Sequence, residues 1–139
     1  MDRKVVIIED ERDVARLLEF NLRGSGFFVA SAANGGLGLD EVRRHRPDVV
    51  VLDLMLPDQS GYEVCKQIRA NPAHNHVPVV MISGKDGFFD KVRGKMAGTT
   101  GYVTKPFGPE TLMRALETYL LPEAPAPAFQ PEPELEPVV

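Results

Sequence analysis

The sequence Val49-Val50-Val51-Leu52-Asp53 is the strongest indication of the fold, because four apolar residues run directly into a carboxylate. Turn-forming residues follow it at Pro57 and Gly61. A near-continuous β-branched run bounded by turn signals is typical of a buried strand in a parallel sheet. A carboxylate at the end of such a strand lies at the carboxyl edge of the sheet, where open α/β sheets bind their ligands.

Polar residues end the other apolar runs in the same way. The runs concerned lead into an acidic pair, a hydroxyl and a lysine: Glu9-Asp10, Ser83 and Lys105. Because the carboxyl ends of parallel strands meet at one edge, we expect these side chains to converge on one pocket. Carboxylates beside a lysine suit a divalent cation and a phosphoryl group.

Predicted strands and helices alternate along the chain. The hydrophobic patterns predict strands at residues 4–8, 27–32, 48–53, 77–83 and 101–104. Helical periodicity predicts helices at residues 12–23, 37–45, 62–70, 88–97 and 109–120. Five strands alternating with five helices predict an α/β fold, a doubly wound parallel sheet covered on both faces.

Individual side chains are also interpreted from these patterns. The first predicted helix is expected to turn four apolar residues to the core: Val14, Leu17, Leu18 and Leu22. His74 and His76 lie in a polar stretch without convincing metal-ligand spacing, so we expect them to be solvated. Cys65 lies on an inward helical position and is interpreted as a small core residue.

The charge distribution separates a domain from a tail. Of the 20 acidic residues, four lie in residues 123–139, which contain no basic residue, and 16 basic residues balance the other 16. A neutral domain argues against a nucleic-acid partner. We expect residues 1–121 to form one folded domain and residues 122–139, rich in Pro and Glu, to be a disordered tail.

Three observations concern the compartment. The N-terminal residues lack the apolar segment of a secretory signal, and no apolar run approaches the roughly 18 residues of a membrane span. A single cysteine cannot form an internal disulfide and fits a reducing environment. We therefore expect a cytoplasmic protein without membrane insertion.

Four segments at the predicted strand ends resemble the receiver domain of bacterial two-component response regulators. In chain order they are VVIIEDE (5–11), VVVLDLMLPDQSGYE (49–63), VVMISG (79–84) and GYVTKPF (101–107). The resemblance extends over residues 4–121 and implies a flavodoxin-like sheet with strand order 2-1-3-4-5. Residues 83–112 are similar to stand-alone regulators of chemotaxis-like and type IV pilus motility systems.

The resemblance implies a phospho-accepting aspartate and a magnesium site. Asp53 matches the residue that accepts the phosphoryl group. Glu9 and Asp10 match the acidic pair that binds Mg²⁺ together with Asp53, and the backbone carbonyl of Met55 matches a further ligand. Three carboxylates in one pocket repel one another, and a hard divalent cation would remove that penalty.

The resemblance also implies a set of residues that sense the phosphoryl group. Lys105 matches the lysine that contacts it, and the peptide bond from Lys105 to Pro106 is typically cis in the family. Ser83 matches the switch hydroxyl, and Tyr102 matches the aromatic residue that turns inward on activation.

Partners and alternatives follow from the same resemblance. A histidine kinase or His phosphotransfer domain would supply the phosphoryl group, and a target protein would bind the face of the predicted fourth helix, fifth strand and fifth helix. We expect no enzyme beyond self-phosphorylation and autodephosphorylation, since a haloacid-dehalogenase-like phosphatase needs an aspartate where Met55 stands. A phosphorylation-independent interaction module and an intermediate phosphate carrier in a phosphorelay remain alternatives.

Overall fold

The computed structural model describes residues 3–84 and 98–120, which form five strands and four helices. In chain order these are β1 (Lys4–Ile8), α1 (Arg12–Gly24), β2 (Phe28–Ala32), α2 (Gly35–His45), β3 (Val49–Asp53), α3 (Gly61–Ala70), β4 (Val79–Ser83), β5 (Gly101–Thr104) and α4 (Pro109–Leu120). The helix predicted at residues 88–97 and the tail from residue 122 lie outside the described residues. The helix predicted as the fifth is therefore α4.

The five strands form one parallel sheet in the order β2-β1-β3-β4-β5. The doubly wound, flavodoxin-like fold predicted from the sequence is confirmed. The register pairs Ile8 with Leu52 and Asp53 with Ile82, so the ends of β1, β3 and β4 lie side by side. The polar residues that follow these strands are thereby collected at one edge.

Helices cover both faces of the sheet, which explains the uninterrupted apolar runs. Val6 and Ile8 of β1 pack with α2 and α3, whereas Val5 and Ile7 pack with α1 and α4. Because alternate residues point to opposite faces, a strand buried on both sides must be apolar at every position.

Local capping decides where two of the helices begin. α2 begins at Gly35, two residues before the predicted start, because the side chain of Asn34 accepts a hydrogen bond from Leu37 N at 2.8 Å. α3 begins after Ser60, whose hydroxyl accepts a hydrogen bond from Glu63 N at 3.2 Å. None of the described helices has the length and apolar composition that crossing a bilayer requires.

Two side-chain predictions were wrong. Leu17 is 54% exposed, because it lies about 100° around α1 from the buried Leu18 and so falls on the flank of the helix. His74 is buried rather than solvated. Its Nδ1 lies 3.0 Å from the Ile68 carbonyl oxygen, so the ring has a hydrogen-bond partner inside the protein. The prediction that Cys65 is a core residue is confirmed.

Candidate functional site

Three carboxylates meet at the carboxyl edge of the sheet. Glu9 and Asp10 follow β1, Asp53 ends β3, and each offers an oxygen that lies within 4.8 Å of the other two. Glu9 and Asp53 are buried, whereas Asp10 is exposed, so the cluster opens to solvent on the side of Asp10. The convergence expected from the sequence is thus present for all three residues.

Lys105 brings a positive charge into this cluster from the end of β5. Its Nζ lies 3.5 Å from Asp53 Oδ2, 3.3 Å from Glu9 Oε1 and 2.8 Å from Glu11 Oε1. The backbone of Lys105 donates a hydrogen bond to the Ser83 carbonyl at 2.6 Å, and the Lys105–Pro106 bond is cis, as the resemblance implies. The ammonium therefore lies between the acidic residues that follow β1 and the end of β3.

Burial makes these carboxylates hold their protons more tightly than usual. Burial, together with the neighbouring Asp53 carboxylate, raises the pKa of Glu9 to about 7. Burial also raises the pKa of Asp53, although Lys105 and the Met55 amide act in the opposite direction. Burial lowers the pKa of Lys105, but its hydrogen bond to Glu11 and the two carboxylates outweigh that effect and raise it to about 12.

The loop from β3 to α3 fixes the orientation of Asp53. Met55 N donates a hydrogen bond to Asp53 Oδ1 at 3.1 Å. At the far end of the loop, Asp58 accepts hydrogen bonds from the amides of Gly35 at 2.8 Å and Gly36 at 2.9 Å. Because these amides open α2, the loop is tied to the neighbouring helix, and the pKa of Asp58 is held below its usual value.

Ser83 and Tyr102 lie near this edge but make other contacts. Ser83 is fully buried, and its hydroxyl donates to the Gly84 carbonyl at 3.2 Å. Tyr102 is 1% exposed, and its hydroxyl lies 2.8 Å from that of Tyr62 on α3. Tyr102 therefore points inward in this structure.

The residues of the cluster suit a magnesium ion. Glu9 Oε1 is buried and accepts no hydrogen bond from a described residue, and burial raises the pKa values of Glu9 and Asp53. A hard divalent cation would satisfy that oxygen and offset the repulsion of the three carboxylates. The donor set consists only of oxygen atoms, which is the set that Mg²⁺ prefers.

Three contacts of the site were not predicted from the sequence. Glu11 forms the shortest ion pair of Lys105, and its place directly after the acidic pair was the available signal. Tyr62 lies three residues before Cys65, on the same inward face of α3. This spacing predicts that Tyr62 is buried, but it does not identify its hydrogen-bond partner. The hydrogen bonds of Asp58 join residues more than 20 positions apart, so no local pattern reveals them.

Comparison with known proteins places these observations in a wider context. Residues 5–117 match the family model described as response regulator receiver domain. The fold is similar to a protein described as a response regulator from Chloroflexus aurantiacus, with 32% identity, a TM-score of 0.82, and coverage of 86% of this chain and 98% of that one. It is also similar to the chemotaxis protein CheY4 of Vibrio cholerae, with 30% identity, a TM-score of 0.83, and coverage of 86% and 100%.

A third solved structure is longer than the region that matches. The response regulator DrrB of Thermotoga maritima, an OmpR/PhoB homolog, is 30% identical with a TM-score of 0.78. The match covers 86% of this chain but 53% of that protein. The shared region thus occurs within a larger regulator as well as in proteins that it spans almost completely.

Proposed function

The chain belongs to the response regulator receiver domain family, and from that membership we propose that it accepts a phosphoryl group on Asp53 from a histidine kinase or a His phosphotransfer domain. One observation supports this proposal above all others. Asp53 lies beside two further carboxylates and 3.5 Å from the ammonium of Lys105, in a pocket that is open at Asp10. With a divalent cation bound, such a pocket can hold a dianionic group next to a carboxylate.

The transfer requires one bond to form and one to break. A carboxylate oxygen of Asp53 forms a bond to phosphorus while the bond from phosphorus to the donor's imidazole nitrogen breaks, and the leaving imidazole takes up a proton. The Met55 amide holds Asp53 Oδ1, so the carboxylate is oriented before the donor arrives. Lys105 donates hydrogen bonds to the phosphoryl oxygens as they approach.

The acidic cluster would hold the metal. Glu9, Asp10, Asp53 and the backbone carbonyl of Met55 would hold Mg²⁺, which when bound offsets the negative charge of the pocket and of the phosphoryl group. Without a cation, the carboxylates would repel the incoming phosphate, and Lys105 alone offers one positive charge against them.

The phosphorylated state is transient and acts through protein contacts. Water hydrolyses the acyl phosphate, and the protein acts on no other substrate, so it is a switch rather than an enzyme. The hydroxyl of Ser83 and the ring of Tyr102 connect the phosphoryl group to the face formed by β5 and α4. A target protein binds there in the phosphorylated state.

The pathway is proposed to be a chemotaxis-like or motility pathway of the cytoplasm. It is supported by the resemblance of residues 83–112 to regulators of such systems. The 30% identity to a protein named for chemotaxis, which this chain matches over that protein's whole length, supports the same assignment.

Labelling with a small phosphodonor tests the proposal. Radioactive acetyl phosphate or phosphoramidate should label the protein when Mg²⁺ is present and not when the metal is chelated. Asp53→Asn should abolish labelling, because the amide is a poor nucleophile. The control Asp40→Asn alters an exposed carboxylate of α2 and should be labelled like the unmodified protein. Undiminished labelling of Asp53→Asn would show that the acceptor is misassigned.

A further inference from the structure

The outer face of α1 carries an apolar patch that is flanked by arginines. Among the described residues, Phe20 is the most exposed large hydrophobic side chain at 77%, and Leu17 beside it is 54% exposed. Phe20 lines a shallow hollow of about 410 Å³ together with Arg16, Glu19, Arg23 and Gly24. We call this surface the α1 face.

One flank of α1 is already occupied by β2. Arg23 donates a hydrogen bond to the Val29 carbonyl at 3.2 Å, and Glu19 accepts one from the Ser31 hydroxyl at 2.6 Å and pairs with Arg23 at 3.3 Å. Since successive residues are about 100° apart around the helix, Phe20 lies on the outer side and Leu17 on the flank turned away from β2.

Arg16 offers a positive charge to this surface. It is exposed and forms no ion pair with any residue in the described ranges 3–84 and 98–120. The acidic side chain in the hollow, Glu19, is engaged by Arg23 and Ser31. Asp13 adds one exposed negative charge near the start of the helix, a full turn before Leu17. The α1 face therefore suits a ligand that combines an apolar side chain with carboxylates.

The chain leaves the described domain on the same side of the sheet as the α1 face. α1 and α4 pack on the same side of the sheet, and both run from its carboxyl edge back to its amino edge. The register that pairs Lys4 with Phe28 places the end of α1 at the amino edge, where α4 also ends at Leu120. Both helices therefore end at the same edge and on the same side of the sheet, so the tail begins on the side that carries the α1 face.

We propose that residues 129–136 of the tail bind the α1 face of the same molecule. This segment contains two large apolar residues, Phe129 and Leu135, and three carboxylates: Glu132, Glu134 and Glu136. It contains no basic residue, so its charge is opposite to that of Arg16. The apolar residues contact Phe20 and Leu17, and the carboxylates lie beside the arginines.

The connecting residues are long enough for this contact. Residues 121–128 span up to about 26 Å when extended, whereas the whole sheet from β2 to β5 is only about 19 Å wide, four strand spacings of about 4.8 Å. A tether of this length gives an effective concentration in the millimolar range, so a contact of only millimolar strength is formed about half of the time. A protein that uses the α1 face must then displace the tail.

Paramagnetic NMR on the full chain tests the proposal. A nitroxide label is attached to Gln130→Cys, which leaves every acidic residue in place, while Cys65 is buried and its raised pKa of about 11 keeps it protonated. The amide signals of residues 16–24 should lose more than half of their intensity, because a contact formed about half of the time in fast exchange still dominates their relaxation. The amides of α2 and α3, on the opposite face of the sheet, should keep theirs.

Matched variants identify the contacts. Phe20→Gln should restore the α1 signals, whereas the control Leu37→Gln, which removes a 55% exposed side chain from α2, should leave them weakened. Arg16→Glu should also restore the signals, and Glu132→Lys with Glu134→Lys added to it should weaken them again. Ionic strength near 1 M, where the Debye length is about 3 Å, should reduce but not abolish the effect.

Two results would overturn the proposal. Full intensity of the α1 signals in the labelled protein would show that the tail does not bind this face. In the second experiment, isotope-labelled protein without nitroxide is mixed with nitroxide-labelled protein without isotope. An equal loss of intensity in this mixture would show that the tail of a second copy occupies the α1 face.

Discussion

Replacing Gly61 by alanine probes the connection between the fold and Asp53. A Cβ atom at Gly61 would lie 2.5 Å from the backbone oxygen of Asp53 and 2.8 Å from Leu54 Cα. Both neighbours belong to the backbone, so no side-chain rotation can relieve the contact. Gly61 N also donates to the Leu54 carbonyl at 2.7 Å, which prevents the start of α3 from moving away freely.

The magnitude follows from this geometry and from a matched glycine. Overpacking in a well-packed region costs about 1–3 kcal/mol, and we expect the upper half of that range for Gly61→Ala because the backbone itself must shift. At Gly36 the nearest atoms are ordinary contacts at 3.6 and 3.7 Å. Since glycine destabilises a helix by about 0.5–1 kcal/mol relative to alanine, Gly36→Ala should be neutral or slightly stabilising.

Urea unfolding of both variants in the presence of a chelator measures the difference. With a typical slope of about 1–3 kcal/mol per molar urea, Gly61→Ala should lower the midpoint by roughly 1 M relative to Gly36→Ala. The folded Gly61→Ala protein should also be labelled more slowly by acetyl phosphate, because its Asp53 backbone is displaced. Equal midpoints for the two variants would show instead that the loop has room for a methyl group.

Three further predictions concern groups outside the acidic cluster. Hydrogen bonds from amides of α2 lower the pKa of Asp58 in the folded protein. Its contribution to the stability of the fold is therefore complete above the unfolded pKa near 4 and is lost as the pH falls through the folded pKa. As the pH is lowered from 6 to 2, the urea midpoint should fall more steeply for the unmodified protein than for Asp58→Asn. Burial raises the pKa of Cys65 to about 11, so a disulfide reagent at pH 8 should modify it only as fast as the protein opens, and reaction at the rate of a free thiol would contradict this. Arg69 donates to three backbone carbonyls and to a threonine hydroxyl, so Arg69→Lys should cost about 1–3 kcal/mol in urea unfolding, and a cost no larger than that of the exposed Arg43→Lys would contradict it.

The sequence predicted the sheet and its acidic edge because both depend on strong local patterns. β3 must be apolar at every position since it is covered on both faces, and this leaves Asp53 conspicuous at its end. β1 and its acidic pair repeat the pattern, and parallel topology then brings the two ends together without further information.

The side-chain errors arose where local periodicity does not determine the environment. Leu17 follows the apolar pattern of α1, but the buried stripe is only wide enough for residues such as Leu18. His74 stands in a polar stretch, yet the end of α3 supplies a carbonyl partner that no local pattern reveals. The ion pair of Lys105 with Glu11 joins residues 94 positions apart, so it depends on the completed sheet.

The acidic cluster costs stability despite its ion pairs with Lys105. Burying a carboxylate is unfavourable unless it is paired and hydrogen-bonded, and Glu9 Oε1 has an ion pair with Lys105 at 3.3 Å but accepts no hydrogen bond from a described residue. The raised pKa values of Glu9 and Asp53 show that folding works against their charged forms. Asparagine and glutamine at the two positions would avoid this cost while keeping nearly the same shape. Features that oppose stability are expected where function requires them, so the chemistry of the carboxylates, rather than their packing, is what this edge of the sheet preserves.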